Sequence, residues 1–295
     1  MHRYAAIPAM LLVLAVSLPA EVLGHGYAGK RLFPQTMTFD DPAPLDELNL
    51  FVGRVKTPGV LTTSYTLDTA KRITPWWSVG FSQEIDQLSF GSTETSGFQN
   101  FALHTKGTFL VSARHETLIS WGVDWDIGGI GSPVVGASTQ STLTPQLFFG
   151  KGLGDLPASL DALRPLAITG YAAPSFPLQQ GPLDTMQVGF TVQYSLPYLT
   201  SFVRDVGLWA PFRNMVPTVE VLLSNCLNQA CETTGTINPG AFWFVGGIGQ
   251  LGMEASIPIN DLSGRNIGAL AMGGLYLDDL FPHSLGAPLL GPLFE

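Results

Sequence analysis

Six ionisable residues fall on the polar side of runs that alternate with apolar residues. They are Glu84 in WWSVGFSQEI, Arg114, Glu116 and Asp124 in LVSARHETLISWGVDW, Glu220 in VEVLLS, and Glu254 in GQLGMEASI. Successive side chains of a strand point to opposite faces, so each shares its face with Ser, Thr, Gln or Gly. On the inner wall of a closed sheet such groups have two uses. Unpaired, they would bias which ions pass. Paired with one another, they would brace or plug the interior, because a charge far from water is costly without a partner. The sequence leaves both uses open.

Other chemistry finds little support. Acyl-chain hydrolysis inside a membrane barrel needs a Ser activated by a His within reach. The histidines are His25, His104, His115 and His283, besides His2, and none lies in an HxSNG pattern or beside a GxSxG elbow. No enzyme is expected. Cys226 and Cys231 stand alone in SNCLNQACETTGT, where an oxidising compartment would join them in a disulfide. With no further Cys and no His nearby, zinc is not expected. A free amino-terminal His25 would offer copper an amine and a ring, but no second histidine is close; a terminus contacting nothing in particular is the plainer expectation. Gly-rich GGIGSPVVG lacks the strand–helix context of a nucleotide loop, so neither a cofactor nor a metal is expected.

The elements that would hold these residues are strands. QVGFTVQYSLP sets Val188, Phe190, Val192, Tyr194 and Leu196 against Gln187, Gly189, Thr191, Gln193 and Ser195. TTSYTLDT, WWSVGFSQEI, VEVLLS and GQLGMEASI alternate likewise, and LVSARHETLISWGVDW reads as the longest strand. With LNLFVGRV, GFQNFALHT, TPQLFFG, LRPLAITGY, GAFWFVGG and IGALAMGGLYL, about twelve strands are expected, each long enough to cross a bilayer at a tilt. KRITP, TKGT, the GKGLGDLP segment and VGGI would form one set of connections. The longer SFGSTETSG, DIGGIGSPVVGAST, AAPSFPLQQGPLD, SNCLNQACETTGTINPG and NDLSGR would form the other. Short turns on one side and long loops on the other mark an outer-membrane barrel. Leu199, Phe202, Val203 and Val206 are spaced for a short amphipathic helix at the inner interface, with an irregular link as the alternative.

The apolar faces would meet either a protein core or acyl chains. The chain has 295 residues, 45% hydrophobic and 13% charged, against about 25% charged in ordinary soluble domains. Its polar faces carry Ser, Thr, Gln and Gly rather than many Lys and Glu, as an enclosed lumen would. Trp76, Trp77, Trp121, Trp125, Trp209, Trp243 and Tyr194 fall mostly near strand ends, where interfacial girdles sit. A closed antiparallel transmembrane β-barrel is therefore expected, ahead of a secreted sandwich. A formal net charge of −9 without a Lys/Arg cluster argues against nucleic acid. The opening MHRYAAIPAMLLVLAVSLPAEVLG reads as a signal peptide, residues 1–24. A periplasmic segment 25–45, the barrel 46–277 and a periplasmic tail 278–295 would follow.

HGYAGKRLFP, TLDTAKRITPWWSVGF, LFFGKGLGDLP, VQYSLPYL, GTINPGAFW, MEASIPINDLSGRNIG and LYLDDLFP together resemble a group of Gram-negative outer-membrane β-barrel proteins. That group is described as uncharacterised proteins or transporters, akin to barrels associated with aromatic (phenol) degradation pathways. The resemblance implies an outer-membrane location, the lipid bilayer and the barrel-assembly machinery as partners, and a passive pore for small-molecule solutes, hydrophobic or aromatic compounds among them. It carries over no site residue. The chain departs from the habit of ending on an aromatic of the last strand, since DDLFPHSLGAPLLGPLFE follows. A plugged structural or adhesive barrel is the alternative, and a barrel-embedded lipid hydrolase a remoter one.

Overall fold

The computed structural model describes residues 26–179 and 183–291. The expected leader, its cleavage after Gly24, His2 and His25 lie outside the described residues. Twelve long strands follow residue 46. They are β1 (Glu47–Thr57), β2 (Val60–Thr74), β3 (Trp77–Phe90) and β4 (Phe101–Ser112). Next come β5 (Thr117–Ile127), β6 (Thr142–Gly152), β7 (Leu166–Pro177) and β8 (Thr185–Tyr194). Last are β9 (Met215–Cys226), β10 (Thr234–Val245), β11 (Gly249–Pro258) and β12 (Gly268–Tyr276). Each pairs antiparallel with its chain neighbours, and β1 pairs with β12, Glu47 opposite Tyr276, so the sheet closes. A short strand, Thr93–Phe98, pairs with β3 alone and extends that hairpin beyond the wall.

Closure turns the usual distribution inside out. Outward-facing Leu251 and Met253 are 55% and 60% exposed, as are many other aliphatic and aromatic residues to a similar degree, among them Leu50, Leu147, Phe149 and Phe190. Gln193, Glu220, Asn238 and Gln250 point inward and are almost completely buried. In water such an exterior would be a large apolar patch on every side. Against acyl chains it is the stable arrangement, because a closed barrel leaves no backbone group unpaired. Trp77 and Trp121 sit level with each other across Gly107. A Cβ on Gly107 would lie 2.6 Å from the Trp121 indole, so only glycine fits there.

Some boundaries differ from those read in the sequence. LVSARHETLISWGVDW is two strands, β4 and β5, joined by a tight turn at 113–116, with Glu116 at φ 45° donating its N–H to the Ala113 carbonyl. A bulge between Thr108 and Leu110 shifts the β4 register, so Val111 pairs with Leu118 and packs toward the inserted residues, not on the outward face of Ile119 where an unbroken alternation would put it. TKGT is therefore not a connection but the middle of β4. The run GFQNFALHT breaks at Gln99 and Asn100 between two strands. The link after β8 turns helically over residues 196–203 and again at Phe212–Asn214, and it buries Tyr198 and Leu199 while Phe202 and Val206 stay exposed. The tail docks at the same end of the barrel. Leu290 donates its N–H to the Ile73 carbonyl at 2.8 Å, and Arg72 donates to the Gly286 carbonyl at 2.9 Å.

Candidate functional site

The interior is not empty. Residues 26–45, just before β1, fold into the barrel from the end that carries the short turns. Gly26 and Phe33 close a small hairpin through Phe33 N–H to Gly26 O, and Ala28, Phe33, Ala43 and Leu45 pack with Leu118 and Ala167. The chain then climbs to an apex at residues 37–40 and returns to Asp46. Phe39 stacks on Tyr171 with ring centroids 4.9 Å apart, and Phe148 lies beyond Tyr171 at 6.0 Å. A terminus in contact with nothing is thereby corrected: wall residues including Lys106, Glu116, Ser120, Glu220 and Gln250 hold this segment, because the lumen offers matched polar partners that water would otherwise supply.

Three anchors fix it. At the turn end, Arg31 donates from Nε to Glu116 at 3.2 Å and from Nη1 to the Pro165 carbonyl at 3.0 Å, and its guanidinium lies 3.7 Å over the Tyr198 ring. Tyr198 donates its hydroxyl to Glu116 at 2.7 Å, and Gly154 donates its N–H at 3.0 Å. Burial first, then the bond to Glu116, pushes the Tyr198 phenol up to about 12. Burial lowers the Arg31 pKa, and Glu116 opposes that by favouring the charged form. At mid-lumen, the carboxylate of Glu220 accepts N–H from Met37 at 3.2 Å and from Thr38 at 3.0 Å, and the Thr38 hydroxyl as well. On the opposite wall, Lys106 donates to the Ala43 carbonyl at 3.1 Å and pairs with Asp40 at 2.5 Å. Gln35 bridges Asn49 and Gln250, and Ser120 donates to the Pro42 carbonyl.

Five of the six charges read from the strands reach the interior. Glu84 faces the lumen from β3 and accepts from the Thr66 hydroxyl at 2.7 Å. Asp124 accepts from Gln146 at 2.7 Å. Glu254 lies beside Glu220. Glu116 enters not from a strand face but from the turn, where its left-handed backbone aims the carboxylate inward. Arg114 is a correction: it lies not on a strand face but exposed in that turn. His115, read on an apolar strand face, is in the same turn and meets Asp155 at 3.1 Å. Cys226 and Cys231 form a disulfide in the loop between β9 and β10.

The sequence did not single out Arg31, Thr38, Asp40, Asp41, Lys106 or Tyr198. A usable signal was there. In a chain this poor in charge, KRLFPQTMTFDDPAPLDE mixes Lys, Arg and four acids with aromatics, which a solvated linker has no reason to do.

Space remains on both sides of the segment. A cavity of about 460 Å³ opens toward the loop end, lined by Asp40, Asp124, Asp126, Phe39, Phe148 and Tyr171 among others. A second, of about 260 Å³, lies between Met37 and the wall at Phe51, Thr66 and Glu84. At the turn end a third, of about 420 Å³, is bounded by Arg31, Tyr198, Phe202, Phe244 and Tyr276.

No known protein family matches the chain, and no curated protein matches it. Solved structures do. The COG4313 outer-membrane channel from Pseudomonas putida F1 is similar with a TM-score of 0.54 at 12% identity, covering 83% of this chain and 99% of that one. The NanC porin is similar at 0.50 and 9% identity, covering 78% and 98%. The chain has the closed β-barrel fold of these proteins. The likeness is one of fold, and the phenol-pathway association finds no counterpart in it.

Proposed function

We propose that this outer-membrane barrel is a passive channel for small solutes, held narrow by residues 26–45. The observation that carries the reading is a lumen lined by polar side chains, with cavities above and below the inserted segment. The fold shared with a channel and a porin supports it. Acidic groups beside Phe39, Phe148 and Tyr171 favour uncharged or cationic molecules, aromatic ones included, over anions. Insertion by the barrel-assembly machinery belongs to the same proposal. A second reading, a barrel permanently closed by its own segment, is favoured by the density of anchors on residues 31–43.

Planar-bilayer recording separates the two. The full-length protein should give small conductance steps, and a variant lacking residues 26–45 should give larger ones. Silence from both proteins, each shown to be folded by its heat-modifiable mobility on gels, would refute the channel.

A further inference from the structure

One cluster in the lumen has more negative charge than its partners balance. Asp40 and Asp41 from the inserted segment and Glu47 from the start of β1 each place a carboxylate oxygen within 4.8 Å of the others. Asp41 and Glu47 are more than nine-tenths buried. Among the described residues, Asp41 Oδ2 and Glu47 Oε2 have no hydrogen-bond partner. Lys106 occupies other oxygens: it pairs with Asp40 Oδ2 at 2.5 Å and lies 3.7 Å from Asp41 Oδ1. Asp68 adds a fourth carboxylate nearby, with His104 3.7 Å from it.

Buried carboxylates left unneutralised are costly. A hard cation resolves this, because oxygens sharing one calcium at ~2.3–2.6 Å lie no more than about 5 Å apart. The observed spacing meets that limit. Asp40 also lines the cavity that opens toward the loop end, which supplies an entry path.

We propose that Asp40, Asp41 and Glu47 form a seat for a divalent cation of the calcium type, which pins the inserted segment to the first strand of the barrel. The proposal rests on the position of residues 26–45 within the lumen, not on whether the lumen conducts, so its test is independent of conductance.

The test is calorimetric titration of calcium into the full-length barrel, folded in detergent and stripped with chelator. Saturable binding of about one ion per chain is expected, weakened at least about tenfold by Glu47→Gln and by Asp41→Asn. Asp261→Asn, an exposed acid far from the cluster, should bind as the parent does. So that the test does not depend on the cluster variants folding, the protein carrying only Thr36→Cys is also followed: its labelling should be several-fold slower with calcium than with chelator. Absence of binding by folded parent protein, for calcium and magnesium alike, would overturn the proposal and leave protons as the neutralising partner. So would binding that folded Glu47→Gln and Asp41→Asn leave unchanged.

Discussion

Glu220 is the strongest single hold on the apex of the inserted segment, and Glu220→Ala removes it. The fully buried carboxylate accepts two backbone N–H groups and one hydroxyl. A hydrogen bond to a charged group contributes about 1.5–3 kcal/mol net, and a buried donor left without an acceptor costs a similar amount. The three bonds share one acceptor and do not add fully, so the seated state should lose about 3–5 kcal/mol. At about 1.4 kcal/mol per tenfold, the population of the withdrawn state rises roughly a hundredfold to several thousandfold. The anchors at Arg31 and Lys106 remain, so the barrel itself should stay folded. The assay is labelling of Thr36→Cys by a membrane-impermeant maleimide, with and without Glu220→Ala. Thr36 is almost completely buried, and both native cysteines are tied up in their bridge. When reclosing outpaces labelling, the rate tracks the open population, so it should rise by the factor above. Glu220→Gln, which keeps one oxygen, should give less than half the free-energy effect. Equal rates in the parent and Glu220→Ala backgrounds, within about threefold, would refute the reasoning.

Other tests bear on separate parts of the molecule. Arg31→Met leaves Glu116 buried without its cation and should cost about 3–5 kcal/mol of seating, read by the same labelling. The phenol of Tyr198, raised to about 12 against an ordinary 10, binds its proton more tightly folded than unfolded. Its stabilising contribution is therefore complete below pH 10 and lost as pH rises through about 12. Difference absorbance of tyrosinate between the parent and Tyr198→Phe should show no ionisation of this residue until well above pH 10. Phe190→Lys, on the outward face of β8, should destabilise the protein in vesicles by about 2–4 kcal/mol, measured by urea unfolding. Glu84→Lys should shift the reversal potential toward anions if the lumen conducts, and an unmoved potential would remove Glu84 from selectivity.

The barrel was legible because its strands repeat a period of two over nearly their whole length. Val188 to Tyr194 and Leu251 to Ile257 point outward as their alternation requires. The break between β4 and β5 was not legible, since Val111, Arg114 and Glu116 keep the spacing of one continuing strand, although the bulge at Thr108–Leu110 turns Val111 inward beside Leu118. The inward direction of Glu84, Asp124, Glu220 and Glu254 followed from the same period, but their partners did not. Glu220 is satisfied by Met37 and Thr38, more than 180 positions away in the chain, through backbone groups that no side-chain pattern reveals. Residues 26–45 have no periodicity to read. They hold a shape only because the finished wall imposes it.

The inserted segment runs in and out through the same rim, its two limbs meeting the turn end at residues 26–33 and at Asp46. A finger bent into a ring can be drawn back without cutting the ring. Withdrawal would ask for a pivot at the junction with β1 and the release of a few bonds, while every rung between neighbouring strands stays intact. Had the segment passed right through and left by the loop end, clearing the hole would require reeling a free end along its whole height. This topology makes reversible unblocking a local motion rather than an unfolding event.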